Sequence, residues 1–309
     1  MLLMDQGIEV TGITFKTPFF GSERGEAAAR DLGISHRVMD ITGDHLEMVK
    51  APRYGYGRNM NPCVDCHAMM FNKAGSLMGE LDAQFLFSGE VLGQRPMSQN
   101  FRALGNVDKL SGYGGSILRP LSARLLPETN PEKNGLVDRD RLLDIQGRSR
   151  LRQMELAEKW GISEYPTPGG GCLLTDPGFS DRLRELLEAR PGSDAVDVER
   201  LKIGRHFRLP GGSKAVVGRN HQENEKLKDL VREGDITLRN HELPGPLTLL
   251  EAGAAAQDTE MAAALTARYG KRASGDEPVS VRVEGPGGEE KVLEVYPMAR
   301  KDLEDYRVG

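Results

Sequence analysis

The chain has 309 residues, 38% hydrophobic and 28% charged, with a formal net charge of −5 and three cysteines. That length holds two domains of ordinary size, and the composition is that of a soluble folded protein without an apolar run long enough to span a membrane. The acidic balance argues against nucleic-acid binding by overall charge, and an odd cysteine count without a basic, cleavable leader argues against a disulfide framework and for the cytoplasm.

Residues 8–15 (IEVTGITF) are rich in β-branched side chains and have the length of a strand. Ser22 then offers an N-cap, Glu23 and Glu26 suit a helix N-terminus, and Gly33 ends the helix. HRVMDI at 36–41 reads as the next strand, 61–81 as a turn and a helix, and the apolar AQFLF at 83–87 as a strand covered on both faces. A long charged helix is expected over 139–160. This alternation predicts an α/β domain, a doubly wound parallel sheet, over 1–190.

The Pro/Gly loop SEYPTPGGGC at 163–172, a helix at 179–189 and the linker ARPGSDAVD at 189–197 lead into a second, smaller α+β domain at 198–309. Its expected elements are a hairpin across Pro210-Gly211-Gly212 and a helix at 222–233. The strands ITLRN and LTLLEAG, a helix at 258–269 and a hairpin across 285–288 complete it. Between positions 200 and 241 there are ten Lys/Arg against five Asp/Glu, and from 276 to 309 nine acidic residues against five basic. Screening confines fields to about 8 Å at cell salt, so such a segment can hold phosphate within an acidic chain. Arg205, Arg208, Lys214 and Arg219 are the candidate RNA-binding residues.

The sharpest local signal is Asn61-Pro62-Cys63-Val64-Asp65-Cys66-His67. Thiols at CxxC spacing can share a metal or exchange a disulfide. Cys172 follows Gly169-Gly170-Gly171, whose freedom lets the backbone fold tightly and bring a third thiol in. Three thiols suit a site with one open position. Zinc with His67 as fourth ligand and a [4Fe-4S] cluster with one uncapped iron both fit that count.

A second signal, Ser88-Gly89-Glu90-Val91-Leu92-Gly93-Gln94 with Ser98-Gln99, begins where the apolar strand ends. The carboxyl ends of strands are where open α/β sheets bind ligands, and Glu90, Gln94 and Ser98 offer polar anchors there.

SGEVLGQ with its following SQ, and then LRPL at 118–121, resembles the corresponding stretch of 4-thiouridine synthases. NPCVDCHAMMFNKAG resembles the NPCxxC segment of the tRNA 2-thiouridylases, and GGGCLLTDPGFSDRLRELL is similar to the end of such adenylating domains. Together they cover roughly 1–190. VGRNHQENEKLKDL and LPGPLTLL resemble the RNA-binding domain of NFACT proteins, over about 200–309. The resemblance implies a PP-loop, adenine nucleotide alpha hydrolase-like fold. It also implies an enzyme of the tRNA sulfurtransferase type, which adenylates a uracil carbonyl with ATP and Mg2+ and then exchanges AMP for sulfur. Phe15, Ser88, Gly89, Glu90, Gln94 and Ser98 would line the ATP site. Cys63, Cys66 and Cys172 would hold a [4Fe-4S] cluster carrying hydrosulfide, with zinc the lesser alternative, or would pass a persulfide between them. Asp65 would orient or deprotonate the sulfur species. The partners implied are tRNA and a sulfur-carrier protein or free sulfide, with a homodimer left open.

The sequence departs from the family in one respect: nothing in it matches the SGGxDS phosphate loop. MLLMDQG reads as the end of the helix after that loop, so Met1 is expected to be an internal methionine, with about twenty residues of the family pattern upstream of it. Without that strand an edge and an apolar patch would be exposed, and ATP turnover by these 309 residues would be weak or absent. Two other readings stand beside thiolation: a catalytically silent RNA-binding chain, and a different ATP-pyrophosphatase.

Overall fold

The computed structural model describes residues 1–165, 171–271 and 277–309. The chain divides into two compact units, Met1–Thr175 and Asp176–Gly309.

The first unit opens with a 3-10 turn, Met4–Gln6, closed by Gly7 in the left-handed region. β1 (Thr11–Lys16), α1 (Glu23–Leu32) and β2 (Ser35–Asp40) follow, with β1 and β2 pairing in parallel from Thr11↔Ser35 to Lys16↔Asp40. Gly33 ends α1 at φ 65°, donating its N–H to the last turn, a conformation that other residues reach only at a cost. Ser22 does not cap α1 through its side chain; its hydroxyl donates instead to Glu26, 2.5 Å away. α2 (Thr42–Lys50) and α3 (Cys63–Ser76) lead to β3 (Leu86–Phe87), α4 (Phe101–Ser111) and β4 (Ile117–Leu118), with β3 and β4 again parallel.

Two expectations change here. The strand at 83–87 is paired only at Leu86 and Phe87, and Phe87 is exposed rather than covered, because both residues border an open cleft. The long helix at 139–160 is only a turn at Arg139–Arg141 and α6 (Leu151–Lys159), α5 (Asn130–Lys133) having come before. Between them the backbone N–H groups of Leu143 and Ile145 donate to the carbonyls of Pro120 and Leu121, and Gly147 adopts φ 84°. Charge spacing alone suggested a helix, but Leu142 and Ile145 are core residues, and burying them pulls this segment into extended pairing. Leu3, Leu118, Ala123, Val137 and Leu142 form one core cluster beneath β4.

The second unit begins with α7 (Pro177–Ala189), where Asp176 caps the backbone of Phe179 and proline occupies the first turn. α8 (Ala195–Leu201) starts with a reciprocal capping pair, Asp194 and Asp197. β5 (Arg205–Arg208) and β6 (Lys214–Val217) form the expected hairpin, followed by α9 (His221–Asp229), β7 (Ile236–Asn240) and β8 (Thr248–Leu250). α10 (Ala256–Arg268), the hairpin of β9 (Val279–Glu284) and β10 (Glu290–Val295), and β11 (Arg307–Val308) complete the unit. The seven strands make one antiparallel sheet in the order β10-β9-β7-β8-β6-β5-β11. Its core joins Phe207, Leu238, Leu250, Val281 and Val283 to Ala262, Ala263 and Leu265 of α10. Ile203, Val216, Leu227, Leu247 and Leu249 form a second cluster.

The fold is therefore mixed α/β: parallel strand pairs with helices, then an antiparallel sheet domain. Among the described residues, no helix is long and apolar enough to cross a membrane.

Candidate functional site

A cleft of about 1220 Å³ opens in the first unit. β1 contributes Thr11, Gly12, Ile13 and Phe15, and β3 with its continuation contributes Leu86 through Glu90. Among the described residues β1 and β3 each pair with one strand only, so both bring an unpaired edge to this cleft. One part of the lining is apolar, with Val10, Met70, Phe71 and Phe85. The carboxyl ends of the strands are polar, where Ser88, Gly89, Glu90, Gln94, Arg95, Gln99 and Arg148 gather.

Glu90 anchors that end. It is 5% exposed, accepts from Arg119 Nε at 2.9 Å and from the Ser88 hydroxyl at 3.2 Å, and lies 2.6 Å from His67 Nδ1. Arg119, 4% exposed, reaches back to Asp108 with both terminal nitrogens, at 2.8 and 3.2 Å. Burial would raise the Glu90 carboxyl, but His67 and Arg119 outweigh it and hold it at about 2. Arg119 is the arginine of LRPL, so the SGE loop and the LRPL segment meet in a buried ion pair.

The structure places five of the six residues expected at the nucleotide site on the cleft wall: Phe15, Ser88, Gly89, Glu90 and Gln94. Ser98 is buried and lies outside the lining, while its neighbour Gln99 is part of it.

The thiols lie on the other side of the same helix start. α3 begins after Pro62, so Cys63 and Cys66 occupy its first turn and His67 follows. Asn61 Nδ2 donates to Cys63 Sγ at 3.2 Å. His45 of α2, fully buried between the rings of Phe19 and Phe20, places Nε2 3.3 Å from Cys66 Sγ. Burial holds His45 down at about 4, so it is neutral here. Burial pushes the Cys66 thiol far above its ordinary value, with Cys172, Cys63 and Asp65 adding to the effect. Cys172 is pushed up to about 11, chiefly by burial. The mutual influence of the three shows that the fold gathers them. Of the loop before Cys172, residues 166–170 lie outside the described residues, Gly169 and Gly170 among them; Gly171 is left-handed at φ 75°.

Asp65 does not face the sulfurs. Its carboxylate accepts from the backbone N–H groups of Arg53 and Tyr54 at 2.8 and 3.0 Å, clamping that loop to α3. Among the described residues no group of three His, Cys, Asp or Glu is arranged to hold a metal ion. The donor set as it stands does not fit a zinc or iron–sulfur centre, and no step below passes through one.

In the second unit the four candidate basic residues divide in two. Lys214 is buried and paired with Glu185, and Arg208 donates to Glu185 at 2.5 Å and to the Gly212 carbonyl at 2.6 Å. Burial lowers Lys214 in spite of that partner. Arg205 lies over the Tyr269 ring at 4.5 Å, and Arg219, half exposed, donates to the Gly204 carbonyl at 2.6 Å.

Comparison with known proteins assigns both regions. Residues 204–307 match the family described as the NFACT protein RNA binding domain. Over 216 residues the chain is 34% identical to the tRNA-specific 2-thiouridylase MnmA 1 of Fusobacterium nucleatum subsp. nucleatum, taking in 66% of this chain and 54% of that protein. The chain joins a thiouridylase-like region to an NFACT-type RNA binding domain. It spans about half the length of the thiouridylase it matches. Among solved structures, the C-terminal part of the fibronectin/fibrinogen-binding protein from Streptococcus suis aligns with 44% of this chain and 63% of its own, at 20% identity and a TM-score of 0.31.

Sequence reasoning missed His45 and Arg119. A single buried histidine twenty-one residues before Cys66 carries no spacing signal, whereas Arg119 was within reach through LRPL.

Proposed function

We propose that the protein takes part in ATP-dependent thiolation of uridine in tRNA. The observation that carries this reading is the first turn of α3, which presents gathered thiols and, one residue later, a cleft anchored by a buried Glu90–Arg119 pair. Its support from relatives is the 34% identity to a tRNA-specific 2-thiouridylase together with the RNA binding domain match.

In this reading ATP lies at the carboxyl ends of β1 and β3, with Gly89 allowing close backbone approach and Gln94 supplying polar contact. The uracil carbonyl oxygen attacks the α-phosphorus, pyrophosphate leaves, and the carbonyl carbon becomes open to sulfur. A persulfide carried on one of the thiols attacks that carbon and AMP departs. A second thiol then breaks the S–S bond, leaving sulfur on the base and a protein disulfide that an external thiol reductant restores. The sulfur enters from a carrier protein or free sulfide. The NFACT-type domain holds the RNA through phosphate contacts, with Arg205 and Arg219 the two candidates whose charge is not absorbed by a buried acid. The PP-loop fold and cytoplasmic setting belong to the same reading.

The test is transfer of labelled sulfur from a persulfide donor to unmodified tRNA transcript with ATP. Cys66→Ala is expected to abolish label transfer while tRNA-dependent pyrophosphate release persists. Label transfer undiminished in Cys66→Ala and Cys172→Ala would contradict the thiol relay. A version lengthened upstream by an apolar strand and SGGxDS is expected to exchange ATP and pyrophosphate faster than the 309-residue chain; equal rates would contradict the expected weak turnover.

A further inference from the structure

His67 is the one residue that belongs to both halves of the site: it follows Cys66 on α3 and its ring lines the cleft. Its orientation is set from behind. Ionised Glu90 can only accept, so the 2.6 Å contact requires the hydrogen on Nδ1. Glu90 is in turn fixed by Arg119, and Arg119 by a two-nitrogen grip on Asp108. With Nδ1 engaged, what a neutral ring offers the cleft is the lone pair of Nε2, an acceptor. A chain of three buried or half-buried charged groups behind one imidazole is far more than burial of a histidine requires. It fixes the tautomer and the ring plane, as second partners do where a histidine must present one nitrogen.

The complementary ligand is a group with an N–H directed at that nitrogen. Uracil has one such edge, N3–H, and it lies between the two carbonyls, O2 and O4. An acceptor opposite N3 therefore positions either carbonyl beside the neighbouring thiols, whichever is replaced. Cytosine, by contrast, presents an acceptor at N3, which would face another acceptor.

We propose that His67 is the residue that recognises the target uracil, accepting the N3–H hydrogen bond at Nε2. This rests on the thiolation reading, and deepens it by naming the base-selecting residue. It assigns to His67 a positioning role, with Glu90, Arg119 and Asp108 supporting it.

The experiment measures binding of the full chain to single-stranded oligouridylate and to the same oligomer methylated at N3, by fluorescence anisotropy. The parent chain is expected to prefer the unmethylated oligomer about tenfold, the factor set by one buried hydrogen bond. His67→Phe should lose that preference with its affinity for the methylated oligomer unchanged. His67→Gln, which keeps an acceptor and guards against a folding failure of the first variant, should retain part of it. Equal affinity of the parent for both oligomers overturns the role of His67 while leaving RNA binding intact. A preference that survives undiminished in His67→Phe overturns it too. Failure of the parent to bind either oligomer overturns the RNA-directed function on which the proposal stands.

Discussion

Each unit buries a carboxylate against basic side chains, and the two networks end differently. In the first, Asp108, Arg119 and Glu90 run outward to His67 on the wall of a cleft. In the second, Glu185 and Glu251 close on Arg208 and Lys214, and Lys214 is buried. A buried ion pair is weak support for stability in itself, since desolvation offsets most of the attraction. What it supplies is fixed geometry. In the first unit that geometry is delivered to a cavity; in the second it ties α7 to the β5–β6 hairpin. A basic segment in the sequence therefore need not be a basic surface.

The largest expected effect that would break this contrast is at Arg119. Arg119→Met leaves Glu90 buried without its cation and should destabilise the protein by about 3–5 kcal/mol in urea unfolding; a loss under 1 kcal/mol would show that the network is not a structural anchor. Next is acid sensitivity. Folded His45 stays neutral down to about 4, whereas the unfolded residue protonates below its ordinary value of about 6.5. Its contribution is therefore present above 6.5 and lost as pH falls from there towards 4, a difference of about 3 kcal/mol. His45→Leu should flatten that part of the stability–pH curve, and an unchanged slope would contradict the burial argument. A smaller effect is expected in the second unit, where Lys214→Met leaves Glu185 still paired with Arg208. It should cost about 1–2 kcal/mol and leave RNA affinity within twofold. The smallest effect on stability belongs to Arg205→Ala and Arg219→Ala, within about 0.5 kcal/mol. If they contact phosphate, each should lower the salt dependence of RNA binding by about one unit of slope. Salt slopes unchanged in both would move the RNA contact elsewhere on the domain.

Much of this was legible in the chain itself. Glycine and proline punctuation with period-two alternation marks the second unit almost element by element, because hairpins are local and their turns carry their own chemistry. The first unit was harder. The segment at 142–147 looks helical by charge spacing, yet Leu142 and Ile145 are drawn into extended pairing with Pro120 and Leu121, a long-range cause that no local window contains. The cleft residues Glu90 and Gln94 could be placed because they follow a strand end. Asp65 could not: an acid between two cysteines suggests sulfur chemistry, and only the fold reveals that its oxygens are taken by the N–H groups of Arg53 and Tyr54. The basic residues misled in the same way, since the acids that neutralise Arg208 and Lys214 are 23 to 43 positions away.

The contrast between the two units rests on the first one serving chemistry. The most direct measurement is the thiouridine content of tRNA from cells lacking this gene, complemented with the parent chain or with Cys66→Ala. A thiouridine that disappears on deletion, returns with the parent gene and stays absent with Cys66→Ala is the predicted result. Thiouridine content unchanged by deletion would contradict the account.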